Sequence, residues 1–130
     1  MQYRGFTRQA RKVMRIAERL AEKEQQLRMG SEYILAGLLQ ENDGVAGQIL
    51  QQLSVNCEEI LTLIHEISLP KTEEQVADGD FLTPESRAIV EEAYAVAERF
   101  DSELVGTEHL LFSIIEHRTS AAARMLLAMN

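Results

Sequence analysis

Residues 6–53 read FTRQARKVMRIAERLAEKEQQLRMGSEYILAGLLQENDGVAGQILQQL, and residues 82–129 read LTPESRAIVEEAYAVAERFDSELVGTEHLLFSIIEHRTSAAARMLLAM. The second stretch lies 76 positions after the first and aligns with it without a gap. Identical pairs include Thr7 with Thr83, Arg11 with Arg87, Ala17 with Ala93, Gly30 with Gly106, and Glu32 with Glu108. A fixed internal period determines the architecture before any local prediction is made, and two copies are too few for a solenoid. The sequence therefore predicts one pseudo-symmetric domain made of two similar halves.

The composition is that of one globular domain. The chain has 130 residues, 45% of them hydrophobic and 26% charged, and its net charge is −8. It contains no basic run longer than the short stretch 8–12, which argues against nucleic acid or an anionic membrane as its partner. It has neither 18 consecutive apolar residues nor an apolar signal core at its start. The lone Cys57 is compatible with a reducing compartment, so we expect a cytoplasmic location.

Apolar residues recur at three- and four-residue steps almost throughout, which predicts an all-α fold. Thr7 is the expected N-cap of the first helix, because its hydroxyl can accept a first-turn N–H. That helix is expected to run to about Arg28 and to stop near Gly30. The second helix is expected to begin at Ser31 and to end around Asn42.

Asp43 is the expected cap of a third helix, and a fourth should begin near Asn56. The second half should repeat the first three helices, starting at Thr83 with Pro84 in the first helical position. Thr119 replaces Asp43 as the cap of the last helix. The expected inward-facing residues include Leu35, Ile49, Leu53, Phe100, Leu111, Ile115 and Met129.

The whole chain, residues 1–130, is expected to form one domain of two similar helical units around a pseudo-twofold axis. The repeats span residues 6–67 and 82–130, and the polar, acidic stretch 68–81 is expected to be an exposed linker. The fourth helix of the first unit has no counterpart in the second, so the last helix of the pattern is missing. The apolar edge this leaves would favour dimerisation or the docking of a following segment.

The sequence carries no catalytic motif. Cys57 lies on an apolar helical face and is interpreted as a core residue. His109 and His117 are eight residues apart with no third ligand at a known spacing, so neither a metal nor another cofactor is expected. A small hydrolase that uses His109 or His117 remains an alternative, and it would require a histidine–carboxylate pair in a cleft.

The duplicated turns, GSEY at residues 30–33 and GTEH at residues 106–109, have two interpretations. In the first, glycine ends one helix, Ser31 or Thr107 caps the next, and the glutamate complements the helix dipole. In the second, Glu32 and Glu108 are fixed carboxylates that bind a guanidinium, beside helix starts that bind an anion.

The motifs F-T-x-x-A-x-x-V from Phe6 and G-[ST]-E-[HY]-[IL]-L at both turns resemble the double Clp repeat, and the resemblance covers the chain from Phe6 to Asn130. This repeat forms the N-terminal domain of the Clp/Hsp100 AAA+ unfoldases, and the chain is most similar to the ClpC type. The resemblance implies a non-catalytic recognition domain of an AAA+ ATPase that works with a ClpP-type protease. Its implied partners are protein clients and MecA-like adaptors. The alternative is a stand-alone Clp-repeat accessory protein that docks to a Clp protease complex.

The resemblance further implies recognition of phosphoarginine-marked proteins. Glu32 and Glu108 would hold the guanidinium, and Thr7 and Thr83 would lie beside the phosphate. Tyr33 and His109, which follow the two glutamates, complete the set of implied ligand-binding residues. Ser31 and Tyr33 stand where the family turn has threonine and histidine. The first site thus departs further from the family pattern than the second.

Overall fold

The computed structural model describes residues 3–41, 43–67 and 81–128, and it is all-α as the sequence predicts. Within these residues there are seven helices: α1 Arg8–Lys23, α2 Ser31–Gln40, α3 Val45–Gln52, α4 Cys57–Ile67, α5 Pro84–Arg99, α6 Thr107–Glu116 and α7 Ala121–Ala128. No helix in this part of the chain is long and apolar enough to cross a bilayer. The predicted linker up to residue 80, the helix end at Asn42 and the inward position of Met129 fall outside the described residues.

Helix α1 ends at Lys23, so the prediction that it runs to Arg28 is wrong. The reason is a backbone motif at Gln25 that the residue types there do not predict. Gln25 has φ 59°, and this left-handed residue lets the Gln26 N–H donate to the Ala21 carbonyl at 3.0 Å. That bond closes the helix by the geometry that glycine usually provides.

The same ending recurs at two other helices. Ser54 after α3 has φ 61° and Asp101 after α5 has φ 56°. In each case the next N–H donates back to a carbonyl five residues earlier, Val55 to Leu50 and Ser102 to Ala97. Three of the described helices, α1, α3 and α5, therefore end at a left-handed polar residue rather than at glycine.

The predicted caps at the first helix of each half are confirmed. The Ala10 N–H donates to Thr7 Oγ1 and the Ser86 N–H donates to Thr83 Oγ1, both at 3.1 Å. Pro84 occupies the first turn of α5, where its missing N–H costs no hydrogen bond.

The predicted caps at Asp43 and Thr119 are wrong by one residue. Helix α3 has Gly44 as its N-cap, and the Asp43 N–H instead donates to the buried carboxylate of Glu41 at 2.8 Å. At α7 the Ala123 N–H donates to Ser120 Oγ at 3.1 Å, so Ser120 is the capping residue. The expected start of α4 is right, because Asn56 Oδ1 accepts the Glu58 N–H at 2.8 Å.

Helix α2 is the centre of the fold. It packs against each of the other six helices, and all of its residues except Glu32 and Gln40 are buried. The predicted inward positions Leu35 and Leu111 are confirmed, at 0% and 6% exposure. The two halves therefore share one core rather than having one each.

Four residues expected to face inward are exposed: Ile49, Leu53, Phe100 and Ile115. The helical period placed them correctly on apolar faces, but a face is buried only if another element covers it. In the first half α4 packs on α2. Among the described residues no helix takes the equivalent position on α6, so these side chains remain open to solvent.

Candidate functional site

Two short parallel backbone contacts join the halves, and the first brings Thr7 to the turn that holds Glu108. Phe6 forms a parallel bridge with Val105. The Thr7 N–H donates to the Val105 carbonyl at 2.8 Å, and the Val105 N–H donates to the Gly5 carbonyl at 2.7 Å. These two bonds hold the start of α1 against Val105. Val105 belongs to the other half and lies three residues before Glu108.

The second contact repeats this arrangement with the halves exchanged. Met29 forms a parallel bridge with Leu82. The Thr83 N–H donates to the Met29 carbonyl at 3.2 Å, and the Met29 N–H donates to the Phe81 carbonyl at 2.6 Å. The start of α5 thus lies beside the turn that holds Glu32. Each candidate site combines a threonine from one half with a glutamate from the other.

Both glutamates fold back over the glycine that precedes their helix. A Cβ placed on Gly30 would overlap the carboxylate of Glu32, and one placed on Gly106 would overlap that of Glu108. Glycine is therefore required at both turns for the carboxylate to lie where it does. A carboxylate at a helix start is also favoured by the positive end of the helix dipole. Both side chains are half-buried, so each carboxylate is held but still reachable from solvent.

The residues that follow the glutamates are buried. Tyr33 is 1% exposed and His109 is 5% exposed. His109 Nδ1 accepts the Gly106 N–H at 2.8 Å, and the imidazole stacks on Phe100 with ring centroids 6.4 Å apart. This hydrogen bond requires Nδ1 to be unprotonated. The imidazole of His109 thus holds the backbone of Gly106, the N-cap of its own helix. A side chain at position N3 that bonds back to the N-cap backbone is part of the capping box.

The hydroxyls of the two turns cap helices of the opposite half, so the prediction that they cap their own helices is wrong. Gly30 and Gly106 are the N-caps of α2 and α6, and neither makes a side-chain cap. Instead, Ser31 Oγ accepts the Ala122 N–H of α7 at 3.1 Å. The exchange is reciprocal, because the Ala46 N–H of α3 donates to Thr107 Oγ1, also at 3.1 Å.

Glu85 adds two hydrogen bonds to the contact between Ser31 and the start of α7. Its carboxylate accepts the Ser31 hydroxyl at 2.5 Å and the Ala121 N–H at 3.1 Å. This role of Glu85 was not predicted from the sequence. The available signal was the duplicated hydroxyl of Ser31 and Thr107 at the first helical position, where it cannot cap its own helix.

Removing the Thr107 hydroxyl is expected to destabilise the protein through the other half. In Thr107→Val the Ala46 N–H loses its acceptor in a buried position, at a cost of about 0.5–2 kcal/mol in the free energy of unfolding. Urea denaturation followed by circular dichroism measures this loss, and Thr107→Ser, which keeps the hydroxyl, is the control. Equal stability of the valine and serine variants would contradict the assigned role.

With this geometry established, comparison with known proteins gives a clear result. The Clp repeat (R) N-terminal domain family matches residues 5–129. The chain belongs to this family. The matched residues include both duplicated turns, 30–33 and 106–109.

Several relatives of this Clp N-terminal domain are Clp proteins. It is 31% identical over 126 residues to the negative regulator of genetic competence ClpC/MecB of Bacillus subtilis. It is 30% identical over 126 residues to the chaperone protein ClpB of Oceanobacillus iheyensis, and 30% identical over 124 residues to a ClpA homolog, an ATP-dependent Clp protease ATP-binding subunit, of Porphyra purpurea. These alignments cover 97%, 97% and 95% of the chain but 15% of each relative. The chain therefore corresponds to one domain of much longer proteins.

The histidines of this Clp N-terminal domain bond mainly to backbone groups. His109 accepts a backbone N–H, and His117 Nδ1 lies 2.8 Å from the Ser113 carbonyl. His65 does pair with the Glu24 carboxylate at 3.1 Å, but its side chain is 77% exposed and not in a cleft. The hydrolase alternative gains no support from these contacts. Within the described residues, no three His, Cys, Asp or Glu side chains are grouped to hold a metal ion.

Cys57 is half-buried at the start of α4. Burial raises the pKa of its thiol, the Glu58 charge raises it further, and a hydrogen bond with Gln40 opposes them. A raised pKa lowers the thiolate fraction at neutral pH, which is the opposite of what a nucleophilic cysteine needs.

Glu108 opens onto an apolar groove. The groove has a volume of about 530 Å³, and Phe100, His109, Phe112 and Ile115 are among its lining residues together with Glu108.

Proposed function

We propose that the chain is the client- and adaptor-binding domain of a ClpC-like ATP-dependent unfoldase, and that its two glutamates recognise phosphoarginine. The observation that carries this proposal is the pairing of each carboxylate with a helix start of the opposite half. Glu108 lies beside the start of α1 at Thr7, and Glu32 lies beside the start of α5 at Thr83. The parent protein would be a cytoplasmic AAA+ ATPase with a ClpP-type protease as its partner, and MecA-like proteins would be its adaptors.

This arrangement offers both of the groups that phosphoarginine needs. A carboxylate can accept two parallel N–H groups from a guanidinium, which is a strong and directional pair. A helix start presents free backbone N–H groups and a positive dipole end, both of which favour a phosphate. Unmodified arginine would use only the first part and phosphoserine only the second, so the composite site selects for the modified residue.

The two sites are unequal in their charges, and those of the Glu108 site suit a phosphate better. The first turn of α1 contains Arg8 and Arg11 and no acidic residue. The first turn of α5 contains Glu85, whose charge repels a phosphate, and Pro84, which lacks an N–H.

The hydroxyls of Thr7 and Thr83 also differ, and the difference again favours phosphate binding at the Glu108 site. The Thr83 hydroxyl donates to Ser86 Oγ at 3.0 Å, so its proton is already used. Thr7 has Ala10 at the equivalent position, which offers no hydroxyl acceptor. Among the residues that the structure describes, Thr7 Oγ1 is engaged only as the acceptor of the Ala10 N–H. The Thr7 hydroxyl can therefore donate to a phosphate oxygen, and we expect the Glu108 site to bind more tightly.

Isothermal titration calorimetry with a short phosphoarginine peptide tests this proposal, and unmodified arginine and phosphoserine peptides are the controls. We expect selective binding with two unequal sites, the tighter of which is lost in Glu108→Ala. Equal heats from the three peptides would overturn phosphoarginine recognition. The chain would still belong to its family, and adaptor docking would become the leading function.

Tyr33 and His109 have a supporting part in this proposal. Because both rings are buried, we assign them to holding the turns, with His109 adding one edge to the groove beside Glu108. Tyr33 cannot reproduce the imidazole bond to the turn glycine in the same form, which is a further reason to expect the weaker site at Glu32.

A further inference from the structure

Helix α1 is basic, although the domain as a whole is acidic. It contains six of the chain's 13 lysines and arginines but only two of its 21 acidic residues, which gives it a net charge of +4. The rest of the chain has seven positive and 19 negative side chains, a net charge of −12. All six positive side chains of α1 are exposed, and we call them the basic face: Arg8, Arg11, Lys12, Arg15, Arg19 and Lys23.

The helical period gathers these charges on one side of α1. At 3.6 residues per turn, the six side chains fall within an arc of about 120°. The buried side chains of α1 lie on the opposite side, where the helix packs into the core. Of the two acidic residues in α1, Glu18 is half-buried and accepts the Tyr3 hydroxyl at 3.2 Å, while Glu22 is exposed. The basic face is therefore nearly uniform in sign.

The stability of α1 does not account for the basic face. Among the residues that the structure describes, Lys12 is the only one of the six in an ion pair, 3.5 Å from Glu41. Like charges three or four residues apart repel one another along a helix. Arg8 and Arg11 lie in the first turn, where the helix dipole disfavours a positive charge. We infer that these charges have a use outside the helix.

The repeat shows that the fold does not require the basic face. Helix α5 has the equivalent place in the second half, and its buried positions are likewise small or aliphatic. Its net charge is −2, however, from two positive and four negative side chains. Three outward positions differ between α1 and α5: Lys12 with Ala88, Arg15 with Glu91, and Arg19 with Ala95.

The basic face begins at the Glu108 site. The Thr7 N–H is bonded to the Val105 carbonyl, so the first turn of α1 lies where the phosphate of phosphoarginine is proposed to bind. A helix rises about 1.5 Å per residue, which places Arg15 and Arg19 roughly 12 and 18 Å from Thr7 along α1. An extended peptide advances about 3.4 Å per residue. The residues that reach these two arginines are therefore roughly four and six positions from the modified arginine.

We propose that the Glu108 site selects phosphoarginine clients that carry acidic residues within about six positions of the modified arginine, and that these residues lie along the basic face of α1. This inference rests on the proposed function and specifies its class of client. A single exposed ion pair adds little affinity. Carboxylates joined to a bound phosphoarginine are nevertheless held at high effective concentration beside the arginines, so several such pairs act together.

Three fluorescein-labelled peptides of thirteen residues test this preference. Phosphoarginine is central, and the flanking residues alternate serine with glutamate, glutamine or lysine. Fluorescence anisotropy measures their affinities for the Glu32→Ala chain, in which the Glu108 site remains. At low ionic strength we expect the glutamate peptide to bind about tenfold more tightly than the glutamine peptide, and the lysine peptide to bind most weakly. The advantage of glutamate should disappear in 1 M salt, where the Debye length is about 3 Å.

The expected order is the opposite of the order that net charge alone predicts. A protein with a net charge of −8 repels an acidic peptide and attracts a basic one at long range. A preference for glutamate therefore reports a local positive surface rather than the field of the whole domain.

Two double variants locate the preference. Replacing Arg15 and Arg19 with alanine should remove the advantage of the glutamate peptide and leave the glutamine peptide within about twofold, because neither arginine lies at Thr7 or Glu108. Replacing Arg118 and Arg124 with alanine is the matched control, since it removes two exposed arginines outside α1 and changes the net charge equally. The control should keep the preference, and circular dichroism checks that both variants retain their helices.

The inference would be overturned if the glutamate and glutamine peptides bound equally, or if both double variants lost the preference to the same extent. It would also be overturned if a glutamate peptide with unmodified arginine bound as tightly, because the basic face would then bind acidic segments without phosphoarginine. Binding of the glutamine peptide without a preference for glutamate would overturn this inference alone. If none of the three phosphoarginine peptides bound, the proposed function would fail with it.

Discussion

Replacing Glu32 and Glu108 together with alanine should remove phosphoarginine binding and leave the helical content unchanged. A charge-assisted hydrogen-bonded pair contributes about 1.5–3 kcal/mol, so each site should lose roughly tenfold to 150-fold in affinity. The dipole contribution of each glutamate to stability is only about 0.3–1 kcal/mol. Calorimetric titration measures the first quantity, and thermal unfolding followed by circular dichroism measures the second.

The repeat provides a matched control for this experiment. Glu22 and Glu98 are also a duplicated pair, 76 positions apart and exposed on α1 and α5. Replacing both with alanine removes the same two charges and should leave phosphoarginine affinity within about twofold, since neither lies in a candidate site. If both double variants weakened binding equally, net charge rather than the two turns would account for the affinity.

Leu35→Ala should cause the largest loss of stability among single substitutions, about 2–5 kcal/mol in the free energy of unfolding. Leu35 is 0% exposed and lies on α2, which every other helix contacts. A cavity at this position cannot close by the movement of one neighbour, because several helices would have to move together. Urea denaturation measures the loss.

Leu127→Ala is the control for this substitution. Leu127 is 67% exposed on α7, so the same change in side chain should alter stability by about 0.5 kcal/mol or less. A loss of similar size at both positions would show that helix propensity, rather than burial, dominates the effect.

Much of the fold could be predicted from the sequence because its signals are local. The 76-residue repeat identified the two halves, and the helical period identified α2 and α6 as inward-facing. Thr7, Thr83 and Asn56 were recognised as helix starts because a capping side chain bonds to N–H groups within three residues. The glutamates were singled out by their duplication alone, and their role stays a prediction until binding is measured.

The remaining features depend on contacts between residues far apart in the chain. Ser31 and Thr107 have the composition of ordinary caps, and only the packed structure shows that their hydroxyls serve α7 and α3. The end of α1 was missed because Gln25 adopts a conformation usually associated with glycine. The exposure of Phe100 and Ile115 could not be inferred from periodicity, which identifies an apolar face but not the element that covers it.

The reciprocal caps make the two halves thermodynamically inseparable. If the first half unfolded alone, the Ala122 N–H would lose the Ser31 hydroxyl and Val105 would lose its partners at Thr7 and Gly5. The start of α7 and the turn at Glu108 would then lose the groups that complete them. Denaturation should therefore proceed in one cooperative step, and a polypeptide carrying a single repeat would need a second copy of itself to complete its helix starts.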